Sequence, residues 1–211
     1  MFIELVDALR CPAVHEESWL VASTTRMEAR HIVTGTLGCP VCMAEYPIID
    51  GVVDFRRDRE PAPAPAAASP PEAAMRVAAM LDLADATGFA VLIGQWSTLA
   101  LELTALVETP LFAVDPPAGF VGFPGVSVLR CDGEIPLASG AARATAIDAR
   151  NRSRADSAVR VTRTKGRILA PADLAVPPGV REMARDEHAW VGEREAAPSP
   201  IITLHVRRAL G

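Results

Sequence analysis

The chain has 211 residues, of which half are hydrophobic, 22% charged and 5% aromatic, and its formal net charge is −5. This composition excludes global disorder and a generally nucleic-acid-coating protein, and it asks for a core of Ala, Val, Leu and Ile. No apolar run reaches the roughly 18 residues of a spanning helix, the start Met-Phe-Ile-Glu-Leu-Val-Asp is acidic with no secretory signature, and four cysteines are too few for a disulfide scaffold. A cytoplasmic protein is expected.

Residues 2–10 predict a short helix with Phe2, Leu5 and Leu9 near one face. Trp19–Thr24 and His31–Leu37 predict strands, being rich in Val, Ile, Thr and Trp. Tyr46–Phe55 predicts a further extended segment that turns at Asp50-Gly51. On this frame sit Cys11 and His15, then Cys39 and Cys42. Two thiolates two residues apart in a tight turn reach one tetrahedral ion, and a second pair closes a zinc site. A unit under 60 residues has little core, so a structural metal supplies the missing folding energy. His31 and Cys131 are the spare candidates for a fourth ligand. A redox role for Cys39 and Cys42 is disfavoured because the pair does not open a helix after a strand.

Three motifs in order carry a resemblance over residues 1–55: Leu5-Val-Asp-Ala-Leu-Arg-Cys-Pro, Cys39-Pro-Val-Cys42 and Tyr46-Pro-Ile-Ile-Asp-Gly. Together they resemble the tRNA-methyltransferase-activator-type zinc ribbon. The chain departs from that family at the first pair, where His15 replaces a cysteine one position earlier. The resemblance implies a zinc-bound partner of methyltransferases, or a module fused to one.

Residues 61–71 hold five prolines among eleven. Proline fixes φ and removes backbone donors, which predicts an extended linker over 58–71 between a unit at 1–57 and a larger unit at 72–211. Net charge runs from −3 over 1–57 to −7 over 58–148 and +5 over 149–211.

In the larger unit, Ala73–Ala84 and Thr98–Val107 predict helices, and Arg152–Thr162 a third. Phe89–Ile93, Leu111–Val114, Val126–Arg130, Ala142–Asp148 and Arg167–Ala170 predict buried strands. Val180–Glu187 is expected as a helix, followed by strands at Ala189–Glu193 and Ile201–Arg207. The fold class is therefore α/β: a mostly parallel sheet with helices on both faces, preceded by the small α+β ribbon. Ligands in such sheets bind at the carboxyl ends of the strands.

This alternation resembles the class I S-adenosylmethionine-dependent methyltransferase fold across residues 72–211. The resemblance implies an acid ending the first strand and a Gly-x-Gly-x-Gly turn after it. Here Leu92 stands at the acid, Gly94 at the first glycine, Trp96 at the second and Thr98 at the third. The indole of Trp96 is expected to fill the cofactor's space. Asp115 and Asp132 remain at the places implied for ribose and adenine contacts, although Asp-Pro and Asp-Gly are also ordinary turn signals. No catalytic motif follows the fourth strand.

The run Arg150, Arg152, Arg154, Arg160, Arg163, Lys165 and Arg167 is opposed only by Asp156. Such a run can grip an RNA backbone or an acidic partner. It contains no aromatic residue to stack on bases, so a solvated face is favoured over a nucleic-acid site. The leading expectation is a non-catalytic binding, scaffolding or regulatory subunit with structural zinc and a protein partner. An active methyltransferase with an atypical cofactor loop is the alternative, and a nucleic-acid-binding module is the third.

Overall fold

The computed structural model describes residues 1–57, 64 and 72–196. The expected linker is almost wholly outside these residues, as is the expected strand Ile201–Arg207.

The chain opens with a 3₁₀ turn at Ile3–Ala8, the tighter counterpart of the expected helix. Four strands follow: β1 (Val21–Glu28), β2 (His31–Gly38), β3 (Glu45–Ile49) and β4 (Val52–Asp54). They form an antiparallel meander. Asp50 and Gly51 both have positive φ between β3 and β4, as a tight hairpin turn requires. Next come α1 (Ala73–Met80), β5 (Ala90–Ile93), a 3₁₀ turn at Gly94–Leu99 running into α2 (Ala100–Leu106), β6 (Leu111–Val114) and β7 (Val126–Arg130). The chain continues with β8 (Ala142–Ala146), a 3₁₀ turn at Ala149–Arg154 leading into α3 (Ala155–Val161), β9 (Thr162–Pro171), β10 (Val180–Arg185) and β11 (Ala189–Arg194).

All eleven strands among the described residues belong to one sheet, ordered β1-β2-β3-β4-β7-β6-β5-β8-β9-β11-β10. From β7 to β9 the pairing is parallel. Counted from β5, this part runs 3-2-1-4-5 and ends in an antiparallel hairpin, the order of a methyltransferase-like doubly wound sheet. The order reverses between β5 and β8, so a cleft opens at their carboxyl ends.

The expected helix at Val180–Glu187 is a strand, β10. Its outward residues are all exposed, so it has no apolar stripe to bury as a helix would. Among the described residues, the antiparallel hairpin that follows β9 is β10–β11.

The N-terminal meander, where the ribbon was expected, joins this sheet directly. β4 pairs in parallel with β7, Val52 opposite Val128 and Asp54 opposite Arg130. The Phe55 N–H continues the ladder to the Arg130 carbonyl at 2.8 Å. Leu9 bridges to Leu137, and Ala138 N–H reaches the Ala8 carbonyl at 2.8 Å. The connection from β7 to β8 thus lies along the N-terminal segment.

Strand alternation divides the core into two clusters. Ala90, Leu92, Leu111 and Ala113 face α1 and α2. Val91, Ile93, Phe112 and Val114 face the opposite layer, which α3 shares with Leu5, Leu9, Ile32, Leu37 and Ile48 of the ribbon. Helices therefore cover both faces, and β5 and β6 are buried throughout. No helix among the described residues is long and apolar enough to cross a membrane.

Candidate metal centre and cofactor cleft

The ligand atoms of Cys11, His15, Cys39 and Cys42 all lie within 4.8 Å of one another. Cys11 Sγ is 3.7 Å from Cys42 Sγ, and Cys39 Sγ is 3.4 Å from His15 Nε2. Ligand atoms around tetrahedral zinc stand about 3.5–3.8 Å apart, given Zn–S near 2.3 Å and Zn–N near 2.0 Å. The four side chains therefore fit such an ion. His31 and Cys131, the spare candidates, are outside the cluster.

Local backbone builds this arrangement. Met43 N–H bonds to the Cys39 carbonyl at 3.0 Å, and Met43 takes φ +59°, which curls Cys39–Cys42 into a knuckle. The backbone N–H of Cys11 reaches the Ser18 carbonyl at 3.0 Å, closing the first loop around His15. His15 Nδ1 lies 2.5 Å from the Glu16 carbonyl. A carbonyl accepts only, so Nδ1 carries the proton and Nε2 keeps its lone pair for the cluster. The extra residue between Cys11 and His15 is taken up by the longer reach of imidazole.

Burial opposes ionisation of the Cys39 thiol, but the N–H groups of Cys42 and Val41 and the neighbouring thiols outweigh it and hold Cys39 at about 6. Burial pushes the Cys11 thiol up, against a lowering hydrogen bond from Tyr46. The Tyr46 hydroxyl is 3.3 Å from Cys11 Sγ, and its ring packs 4.8 Å from that of Phe55. Tyr46 is a supporting residue that cysteine spacing could not indicate.

The cleft is differently furnished. Gly94 follows β5 with φ +64°, and a Cβ there would overlap Asp148 Oδ2. Asp148, which follows β8, accepts the Gln95 N–H at 2.7 Å through that oxygen. Its other oxygen accepts Asn151 N–H at 3.0 Å and Asn151 Nδ2 at 2.7 Å. A carboxylate thus occupies the turn where the resemblance implies cofactor. Sequence reasoning passed over Asp148, because an acid ending the fourth strand matched no motif.

Asp115 lies across the cleft with φ +47°. It accepts the Cys131 N–H at 3.0 Å and forms an ion pair with Arg154. The two charged side chains are only 18% and 16% exposed. Arg154 also donates to the Cys131 carbonyl at 2.6 Å. Burial, then the adjacent Asp115 charge, push the Cys131 thiol well above its ordinary range. The remaining cleft beside Gly94 and Asp115 measures about 130 Å³. Sites for drug-sized ligands usually hold about 300–1,000 Å³.

One expectation is corrected here. Trp96 does not line the cleft; it packs partly against the α1 and α2 cluster. The 3₁₀ turn explains this, because residues three apart share a face and Leu99 is buried in that cluster. Asp132 follows β7 and is not among the residues that line that small cleft. It turns toward the ribbon and accepts the Arg57 N–H at 2.9 Å.

The basic run is dispersed. Arg152 pairs with Asp173, Arg154 with Asp115, and Arg160 donates to the carbonyls of Leu137 and Ile135. Arg150 lines the cleft, while Arg163 and Lys165 are exposed and Arg167 is half-buried. No single cationic face gathers all seven.

No protein-family model and no curated protein matches the sequence. Among solved structures the chain is similar to the antibiotic-resistance methyltransferase Kmr, at 13% identity, 64% coverage of this chain, 98% of the other and a TM-score of 0.40. It is also similar to a chain in the complex between the Haloferax volcanii Trm112 methyltransferase activator and a methyltransferase, at 15% identity and a TM-score of 0.38. That match covers 46% of this chain and 50% of the other. A Bacillus halodurans C-125 protein described as a methyltransferase gives 17% identity, coverage of 46% and 48%, and a TM-score of 0.35. The methyltransferase-like fold stands on the chain's own strand order.

Proposed function

We propose that this chain is a non-catalytic binding subunit: a structural zinc ribbon fused in cis to a methyltransferase-like sheet that does not accept S-adenosylmethionine. The observation that carries this reading is the Asp148 carboxylate in the Gly94 turn. That carboxylate already takes the Gln95 N–H and fills the space beside Gly94 into which the methionine part of the cofactor would have to fit. The cofactor's ribose would need the carboxylate of Asp115, which Arg154 neutralises.

Cys11, His15, Cys39 and Cys42 would hold the zinc. Bound there, the ion supplies a cross-link between the first loop and the β2–β3 turn. Four protein ligands leave no open position, so its role is structural.

Calorimetric titration of the zinc-loaded protein with S-adenosylmethionine tests the proposal. No binding at millimolar cofactor is expected, with binding gained in an Asp148→Ala/Arg154→Ala variant. Micromolar binding by the natural chain overturns it. That result would favour an active methyltransferase with an atypical loop, a reading supported by Asp115, by the cleft beside Gly94 and by Trp96, which packs away from that cleft.

A further inference from the structure

A larger concavity lies outside the cleft. It is a groove of about 600 Å³ where the ribbon meets the connection after β7. That volume is within the range of ligand sites. Tyr46, Pro47 and Phe55 give it an apolar wall, and Val14 stands on the first knuckle at its lip. Val14 is fully exposed and Met43, next to the groove residue Ala44, is 78% exposed. These side chains do nothing for the fold, yet they flank a concave surface.

The charges of the groove are unbalanced. Asp54 and Arg56 face each other at 2.9 Å and cancel. Beyond that pair the described residues of the groove are the carboxylates of Glu45, Asp132 and Glu134 and the guanidinium of Arg57, and Arg160 pairs with Glu134 from the neighbouring surface, which leaves an excess of one negative charge. Glu134 is 75% exposed, with Arg160 of the neighbouring surface 3.4 Å away. An excess of negative charge disfavours an RNA backbone at this surface. It attracts cationic side chains and draws their aliphatic stems along the apolar wall.

We propose that this groove takes an apolar, positively charged peptide segment of a partner protein. The proposal rests on the binding-subunit reading and gives that reading a surface. It also accounts for the fusion, because neither the ribbon nor the β7 connection alone forms the groove.

The test is fluorescence anisotropy with the full-length, zinc-loaded protein and two labelled octapeptides. One alternates Leu and Lys; the other alternates Leu and Glu. The basic peptide is expected to bind and the acidic one to fail. Glu45→Lys/Glu134→Lys should weaken the basic peptide about tenfold or more, and raising salt from about 0.05 to about 0.5 M should weaken it further. Val14→Asp should also weaken it, and since Val14 is fully exposed, that variant stays informative if the double variant misfolds. Zinc content checks each protein. Equal binding of both peptides, no binding of either at millimolar concentration, or basic-peptide binding that neither variant alters would overturn the proposal. Absence of peptide binding alongside absence of S-adenosylmethionine binding would remove the groove and leave the non-catalytic reading in place.

Discussion

Gly94→Ala probes the feature on which the functional reading turns. Gly94 has φ +64°, and an added Cβ would overlap the Asp148 carboxylate and come within 2.5 Å of Asn151 Nδ2. Left-handed backbone in an L-residue costs about 1–2 kcal/mol. Displacing the carboxylate also removes its 2.7 Å bond to the Gln95 N–H, worth about 1.5–3 kcal/mol for a charged acceptor. The substitution should therefore cost about 2.5–5 kcal/mol. In an Asp148→Ala background the overlap with the carboxylate is gone, Asn151 is released from its anchor, and only the backbone strain of about 1–2 kcal/mol remains. Urea unfolding of the four proteins closes a double-mutant cycle, with an expected coupling of about 1.5–3 kcal/mol. A coupling below about 0.5 kcal/mol would mean independent sites. It would refute the placement of Asp148 in the turn, and the main obstacle to cofactor would go with it.

The natural chain should carry one zinc by elemental analysis, and Cys39→Ser none; the variant should lose several of the roughly 10–16 kcal/mol that structural zinc supplies in small domains, read as a collapse of near-ultraviolet dichroism around Tyr46. Arg154→Ala strands the Asp115 carboxylate at 18% exposure and should cost about 3 kcal/mol in chemical unfolding, with most of it recovered in Arg154→Ala/Asp115→Asn. Cys131 gives a pH signature. Its folded-state thiol is raised above the ordinary value of 9.0, so its contribution to stability is full below that pH and is lost as pH rises toward the folded value. Relative to Cys131→Ser, the natural protein should lose about 1.4 kcal/mol per pH unit above pH 9. Parallel stability curves for the two proteins would show that the thiol is not shielded.

Buried strands were legible because nothing else explains four-residue runs such as Leu111–Val114 between turn signals, and β6 and β7 match their expected limits. The four cysteine and histidine positions were legible for a similar reason, since knuckle spacing is local. What could not be read is what depends on distant partners. Val180–Arg185 has a pattern compatible with either helix or strand, and only the pairing with β11 decides it. Trp96 could be judged only against a turn assumed to be extended, whereas a 3₁₀ turn carries it to the other face. Asp148 and Arg154 become interpretable once the chain has brought them opposite Gln95 and Asp115, positions 53 and 39 residues away. The joining of β4 to β7 crosses the proline-rich segment, so no local pattern announces it.

That joining also restricts how a partner can be recognised. A ribbon strand adding to a methyltransferase-like sheet needs a free edge, and here β4 and β7 already occupy each other. Among the described residues the outer strands of the continuous sheet are β1 and β10, and both are poor templates for a further strand. β1 has register shifts on both sides of Arg26 and sets Arg26 beside Glu28. β10 has a shift between Glu182 and Ala184 and sets Glu182 beside Arg185. Bulges and charges on an outer strand are the devices that prevent edge-to-edge pairing. A partner that extended the sheet would have to straighten one of these bulges and desolvate an ion pair. Recognition through side chains on a concave surface avoids both costs, and the groove between the N-terminal meander and the β7 connection is such a surface.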